Sequence, residues 1–318
     1  MRFPIVMLIF AQFVMPIGFL IGLATGQYGS QLEWILSALV AGSFVIFIFI
    51  VGRWDWFGYP FRFILLLAML FSVVASANNW LTIPFLPTNT EFDWVEASVR
   101  FALLCVFSFL CFKAIRGFKA PSDSIFGAFP LSGGTFYIAH GGSDATINYH
   151  FGHATQRFAL DIVQLNRWGL RANGVYPKSL DKYVIFDAPV LSPVDGQVVR
   201  AVGDEPDFIP PQRDSERKAG NHVVIRPSST DCYILIAHLR KGSLEVKEGD
   251  TIVTGQFLGR VGNSGNTTEP HLHIHCATIT GDDYLTGGTG LPLILDGRFL
   301  IRNSLVRAEA EQCPRDNA

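Results

Sequence analysis

Long stretches without charge occupy the first third of the chain and constrain its fold more than any other feature. No charged residue occurs between Arg2 and Glu33, an apolar run follows up to Arg53, and FILLLAMLFSVVASA follows Arg62. As a helix, each stretch is long enough to cross a hydrocarbon core of about 30 Å. The first is longer than the apolar part of a signal peptide and has no small-x-small cleavage site, so it is interpreted as a retained helix. The sequence therefore predicts a membrane region over residues 1–118.

A fourth apolar segment decides how many times the chain crosses the bilayer. FALLCVFSFLCF, from Phe101 to Phe112, lies between Arg100 and Lys113. Its 12 uncharged residues give roughly 18 Å of helix, so it spans only if both cations reach the interfaces. Three and four spans are both open, and we predict three, with the fourth helix lying in the interface.

The distribution of Lys and Arg predicts the orientation. Cations lie beside the apolar runs at Arg2, Arg53 and Arg62, whereas the segment from Glu91 to Glu96 carries acids and no cation. The positive-inside rule favours an inside N-terminus. With three spans, the C-terminal domain then lies outside, on the extracytoplasmic side of a bacterial cell membrane.

From about residue 119 the apolar residues fall into short, β-branched runs such as GQVVRAV, HVVIRP, CYILIAHL and HLHIHCATI, separated by turns. Many short strands at spacings of roughly 8 to 12 residues are typical of an all-β sandwich or barrel. The predicted fold class is a helical transmembrane region followed by an all-β domain over 119–295, with a polar tail over 296–318. The net charge of −2 without a basic run gives no indication of nucleic-acid binding.

A stretch from Gly262 to His275, reading GNSGNTTEPHLHIH, contains the strongest chemical signal. Alternate residues of a strand point to one face, so His271, His273 and His275 are predicted to share a face. Neutral imidazole is the commonest metal ligand, which favours a divalent cation there, while a solvated sheet face is the alternative.

Two further residues could join these histidines. His238 ends the strand YILIAHL just before a loop, where functional residues are common. Asp161 lies in the apolar run FALDIV, where a carboxylate is costly unless it is paired or bound to a metal.

The order of these motifs resembles that of the lysostaphin-type (LytM-like) zinc metallopeptidases, which cut peptidoglycan cross-links. The resemblance covers about Gly134 to Thr278 and rests on YILIAHL, VKEGDTIVTGQFLGRVGNSG and PHLH in this order. It implies a lysostaphin-like β-sandwich or barrel-sandwich hybrid. It also implies that Asp161 and His273 are zinc ligands and that His238 and His271 are catalytic. His275 has no counterpart in the motif, and we expect it to be a solvated strand residue.

The remaining zinc ligand departs from the family pattern. The family has a His four residues before the Asp, where this chain has Arg157, and a guanidinium cannot be a ligand. His150 and His153 precede it, and we predict that His150 is the ligand, with His153 as the open alternative.

The resemblance implies a membrane-anchored, Zn²⁺-dependent endopeptidase that hydrolyses amide bonds in peptidoglycan peptides. Zinc with three protein ligands and an open fourth position generates a nucleophilic hydroxide near neutral pH. A catalytically inactive, membrane-tethered regulator of wall hydrolases is one alternative. A phosphocarrier-like β-sandwich is another, although that class has no need of Asp161. Cys232 and Cys276 are expected to lie close together, either as a disulfide or as buried thiols.

Overall fold

The computed structural model describes residues 2–87, 93–281 and 283–309. The chain forms two compact units. One consists of Met1–Gly52 and Pro60–Ile115, and the other consists of Arg53–Tyr59 and Arg116–Ala318. A short piece of chain between two apolar helices therefore belongs to the unit that contains the C-terminal domain.

Apolar helices build the first unit. Their bounds are α1 Arg2–Ile9, α2 Met15–Thr25, α3 Gln31–Val51, α5 Phe61–Ser76 and α6 Trp94–Arg116, and α4, Trp54–Phe57, lies in the second unit. A π-helical stretch joins α1 to α2, and a 3-10 stretch extends α5. In the described part of the chain, four helical spans are long and apolar enough to cross a membrane, and α6 is one of them at 23 residues. The fourth apolar segment is thus longer than its 12 uncharged residues suggest, because the helix continues through both flanking cations.

The second unit is rich in strands, as the sequence predicts. Their bounds are β1 Ile125–Gly127, β2 Gly134–His140, β3 Leu160–Leu165, β4 Pro189–Leu191, β5 Gly196–Val202, β6 Asn221–Pro227, β7 Tyr233–Leu239, β8 Thr251–Ile252, β9 Phe257–Arg260, β10 Leu272–Ile279, β11 Gly288–Leu291, β12 Leu293–Leu295, β13 Arg298–Phe299 and β14 Leu305–Ala308. The fold class is confirmed: apolar helices precede a sheet-rich domain, in which all described strand pairs except β1 with β12 are antiparallel.

The largest sheet among the described residues has the order β14-β2-β3-β10-β7-β6-β5-β8, with β11 pairing beside β10. The His-bearing strand β10 is therefore central, between β3 and β7. Small sheets, β1-β12-β13 and β4-β9, accompany it.

Alternation along β10 separates the core from the site. Leu272 and Ile274 belong to the main apolar cluster, whereas His273 and His275 point to the other face, because successive strand residues face opposite ways. On that face, His273 pairs in register with Asp161 of β3 and with Ala237 of β7. The topology thus places a carboxylate directly beside an imidazole at the centre of the sheet.

Candidate metal centre

Asp161 lies at the centre of a group of imidazoles. Its Oδ1 is 2.9 Å from Nδ1 of His273, and its Oδ2 is 2.9 Å from Nε2 of His150. The register of β3 and β10 determines the first contact. The second depends on a single turn of 3-10 helix, Tyr149–Gly152, whose start is capped by the Asn148 side chain. Donor atoms of His150, Asp161 and His273 all lie within 4.8 Å of one another.

The other candidate ligand, His153, lies elsewhere. Its ring is exposed and contacts Tyr149, with ring centres 5.9 Å apart. Arg157, which stands where the family has a His, has its guanidinium 5.1 Å from the Phe151 ring centre. The structure therefore brings His150, and not His153, to Asp161.

His238 and His271 form a second group with His273, again with donor atoms within 4.8 Å. Nδ1 of His238 is 2.8 Å from the Ser264 carbonyl oxygen, and Nδ1 of His271 is 2.9 Å from that of Glu269. A carbonyl oxygen only accepts, so both Nδ1 atoms carry the hydrogen. In the neutral form each ring therefore has an unprotonated Nε2, and the Nε2 of His271 lies 3.6 Å from Asp161.

The Gly-rich turn before β10 supplies those carbonyl groups. Gly265 has φ +83° and Gly220 has φ +57°, and a Cβ on Gly220 would lie 2.4 Å from the Ser264 carbonyl carbon. Only glycine permits this close approach of two left-handed turns. The Asn221 backbone N–H donates to Ser264 Oγ at 2.9 Å, which fixes the turn against β6. The GNSG sequence thus determines the position of the Ser264 carbonyl oxygen, which pairs with His238.

His275 is not the solvated residue that the sequence suggests, because only 1% of its surface is exposed. Its Nε2 is 3.2 Å from the Tyr284 carbonyl oxygen, and its Nδ1 is 3.0 Å from Nε2 of His273. The carbonyl fixes the hydrogen of His275 on Nε2, so Nδ1 accepts from His273. His273 is then protonated on Nε2, and its Nδ1 lone pair faces the carboxylate.

This arrangement fits a divalent cation. With the hydrogen of His273 on Nε2, two acceptors, its Nδ1 and Oδ1 of Asp161, face each other at 2.9 Å. Two lone pairs at this distance repel unless a cation or a proton lies between them. Two imidazoles and one carboxylate are the ligand set of many catalytic zinc sites, in which the second nitrogen of a ligand His is held by a hydrogen bond.

The electrostatics of the site keep most rings neutral. Burial, together with His271 and His273, lowers the pKa of His238 well below its usual value. Burial lowers the pKa of His273 and brings that of His275 to about 3. Burial opposes ionisation of Asp161, but the charges of His150 and His271 hold the pKa of Asp161 well below its usual value. Burial opposes the charge of His150, but Asp161 raises the pKa of His150 above its usual value. An ionised carboxylate beside several imidazoles is suited to binding a metal.

Sequence reasoning overlooked His140, at the end of β2. It pairs in register with Asp161, and its Nδ1 accepts the backbone N–H of Tyr149 at 3.2 Å. This bond fixes the turn that carries His150. A signal was present: Ile-Ala-His occurs at the end of β2 and again just before the last residue of β7, and both of these histidines lie at the site.

Replacing His150 and His153 one at a time should show which of them is the third zinc ligand. We expect His150→Ala to lower the zinc content of the purified chain, because His150 contacts Asp161, and His153→Ala to leave it unchanged. Zinc per chain, measured by mass spectrometry of the metal, tests this. The assignment of His150 is wrong if His153→Ala is the variant that loses zinc.

Substitutions at His275 should test whether it orients His273. His275→Leu removes the acceptor for Nε2 of His273, and we expect zinc affinity to fall about 10- to 100-fold, as for other partners of metal ligands. His275→Asn retains an acceptor near the Nδ1 position and should lose much less. Competition with a chelator measures both affinities, and equal losses in the two variants would contradict the orienting role.

Comparison with known proteins finds a match between one family model and part of this chain. Residues 178–283 match the model of peptidase family M23. The matched range includes His238, His271 and His273, and it begins after His150 and Asp161.

Solved structures similar to the chain include the NMR structure of lysostaphin, at 19% identity and a TM-score of 0.26, covering 41% of this chain and 39% of that chain. A zinc-containing peptidase from Vibrio cholerae has 26% identity and a TM-score of 0.23, covering 41% and 28%. Csd3 from Helicobacter pylori has 16% identity and a TM-score of 0.28, covering 60% and 40%. The chain spans less than half the length of each of these structures.

Proposed function

Because residues 178–283 carry a peptidase family M23 domain, we propose that the protein is a membrane-anchored, zinc-dependent endopeptidase that hydrolyses amide bonds in peptidoglycan cross-links. The observation that carries the proposal is the contact of His150 and His273 with the two oxygens of Asp161, at 2.9 Å each. His150, Asp161 and His273 would hold the zinc ion. The substrate would be a peptide of the bacterial wall.

The residues around the metal ligands have separate tasks. A zinc ion held by three protein ligands supplies an acidified water and a Lewis acid at an open position. His238 and His271 offer unprotonated Nε2 atoms in their neutral forms, and their ring centres are 4.9 Å apart. Such a pair can take up the proton of the attacking water and return one to the leaving amine. The carbonyl groups of Ser264 and Glu269 hold both rings in the tautomer that this task needs.

The same geometry favours an enzyme over the alternatives. A phosphocarrier domain needs a reactive imidazole but no buried carboxylate, whereas Asp161 touches two rings. An inactive regulator needs neither the ligands nor the pair His238 and His271. The proposed ligands and the pair His238 and His271 form two groups of donor atoms that share His273.

The apolar helices suggest the location. Four helical spans within the described residues could cross a bilayer, and we infer that they anchor the protein in the bacterial cell membrane. Peptidoglycan lies outside that membrane, so the proposed substrate requires an extracytoplasmic peptidase domain.

The full chain in detergent provides the direct test. We expect about one zinc ion per chain and release of peptides from purified peptidoglycan, detected by mass spectrometry. A chelator should abolish the release, and added zinc should restore it. A chain that binds no zinc and releases no peptide would instead support the regulator.

A further inference from the structure

A short segment between two apolar helices is built into the peptidase domain. Arg53–Tyr59 joins α3 to α5, yet it forms one compact unit with residues 116–318. Trp54 and Asp55 in this segment are both 0% exposed. The Asp55 carbonyl oxygen accepts the backbone N–H of Arg171, in the loop after β3, at 3.0 Å. A buried carboxylate is costly unless it is paired. Asp55 pairs with Arg53 of its own segment at 2.9 Å and lies 3.9 Å from Arg171 of the domain.

These charges and Glu269 form a largely buried cluster, in which Asp55 and Glu269 face Arg53 and Arg171 and the charge of Arg302 also acts on Asp55. Arg53 donates to Asp55 from Nε at 3.0 Å and from Nη2 at 2.9 Å. Arg171 donates to Glu269 from Nε at 2.8 Å and from Nη2 at 2.6 Å. Nη2 of Arg53 is 3.5 Å from Glu269, which links the two pairs. The Arg171 guanidinium also lies 3.7 Å from the ring centre of Trp56, so α4 contacts it from a second side.

Glu269 connects this cluster to the candidate active site. It is two residues before His271, and its carbonyl oxygen accepts from Nδ1 of His271 at 2.9 Å and from Oγ1 of Thr267 at 2.7 Å. The hydroxyl of Tyr176 donates to the neighbouring Thr268 carbonyl at 2.6 Å. The Tyr176 ring in turn stacks on Trp56, with centres 5.7 Å apart. Arg53–Tyr59 therefore contacts Arg171 and Tyr176, the two residues that hold the turn before His271.

We propose that Arg53–Tyr59 is a positioning element of the active site, which acts through Arg171 and Glu269 to hold the carbonyl that orients the ring of His271. The inference deepens the proposed peptidase function and rests on it. It makes the loop between two membrane helices part of the catalytic apparatus. A fragment that begins at residue 119 omits this loop, so the experiment requires the full chain.

Asp55→Asn is the first test, because it keeps the shape of the side chain and removes the charge that balances Arg53 and Arg171. We expect kcat on peptidoglycan peptides to fall about 10- to 100-fold, the usual cost of a displaced catalytic group or a lost outer partner. KM and zinc per chain should stay within about twofold, because the proposed zinc ligands are unchanged and a displaced His271 affects the chemical step. Amide hydrogen exchange at Thr267, Thr268, Glu269 and His271 should be faster.

Two further variants provide a control and a second test. Asp231→Asn breaks the exposed ion pair with Arg226, whose side chains are 3.1 Å apart, and should change none of these measurements. Glu269→Gln keeps an acceptor for Arg171 and serves if Asp55→Asn does not fold. It should show the same fall in kcat and the same faster exchange, with zinc retained.

Several results would overturn the inference. One is a kcat within twofold of the unmodified chain in both folded variants, and another is a fall in kcat that follows loss of zinc or of thermal stability. Hydrogen exchange separates this inference from the proposed function. If the unmodified chain proves inactive, the proposed function fails, but faster exchange at Thr267–His271 still supports the positioning role and unchanged exchange refutes it.

Discussion

His273→Ala is expected to remove both zinc and peptidase activity, whereas His271→Ala should keep about one zinc ion per chain and still be inactive. The difference follows from the contacts of the two rings. Nδ1 of His273 is 2.9 Å from Asp161 and belongs to the proposed ligand set, while His271 approaches the same carboxylate only to 3.6 Å. Loss of a proton-transfer group costs about 10²- to 10⁴-fold in rate. Zinc content and peptide release from purified peptidoglycan, measured on the same preparations, test the prediction.

A matched control is His153→Ala, which removes an exposed imidazole outside the cluster. It should retain both zinc and activity. If His271→Ala and His273→Ala lose zinc equally, the division into a ligand and a proton-transfer group is wrong. Full activity in His271→Ala would instead remove His271 from the mechanism.

The second prediction with a large expected effect concerns the side of the membrane on which the domain lies. A reporter enzyme that is active only after export, fused after Ser122, should be active, because peptidoglycan lies outside. A reporter fused after Tyr59 should behave in the same way, because Arg53–Tyr59 and the domain form one unit and must lie on one side. A reporter fused after Pro87, between α5 and α6, should be inactive.

This arrangement differs from the three-span topology predicted from the sequence. With α6 in the interface, Arg53–Tyr59 and the domain would lie on opposite sides, so their common unit favours a hairpin in which α5 and α6 both cross. The N-terminus is then outside too, against the distribution of Lys and Arg. Two of those cations have other partners: Arg53 is paired with Asp55, and the Arg62 guanidinium lies 3.8 Å from the Phe49 ring centre.

The fusions distinguish failure of the proposed wall-cutting role from failure of the hairpin topology. If only a cytoplasmic reporter works after Ser122, the wall-cutting role fails. If the reporters after Tyr59 and Ser122 disagree, the hairpin is wrong and Arg53–Tyr59 cannot reach the domain in the membrane.

The fold could be predicted because its signals are periodic. Uncharged runs of helical length predict spans, and the alternation in HLHIH places Leu272 and Ile274 in the core and His273 on the opposite face. The expectation that His275 is solvated is wrong, because a period-two pattern distinguishes the two faces of a strand but does not show whether the second face is covered by other residues. It is covered here, and the Tyr284 carbonyl contacts His275 at 3.2 Å.

The candidate site could be predicted only in part. The motifs identified Asp161 and His273, since a fixed strand register relates them. His140 and the cluster of Arg53, Asp55 and Arg171 escaped notice because they are distant in sequence and belong to no motif. Arg53 lies beside an apolar run and so indicates membrane orientation in the sequence, whereas its partner Glu269 lies 216 residues later. Pairing between such distant charges is determined by tertiary packing and leaves no local pattern.

Behind the histidine face, the thiols of Cys232 and Cys276 lie side by side, with sulfurs 3.3 Å apart. Both are buried in the core of the sheet-rich unit. Both are free thiols here, and thiols this close can form a disulfide in an oxidising compartment but stay reduced in the cytosol. Once the domain has folded around them, neither reductant nor oxidant reaches them easily. Whether Cys232 and Cys276 are joined or reduced in a purified molecule therefore indicates the compartment in which that molecule folded.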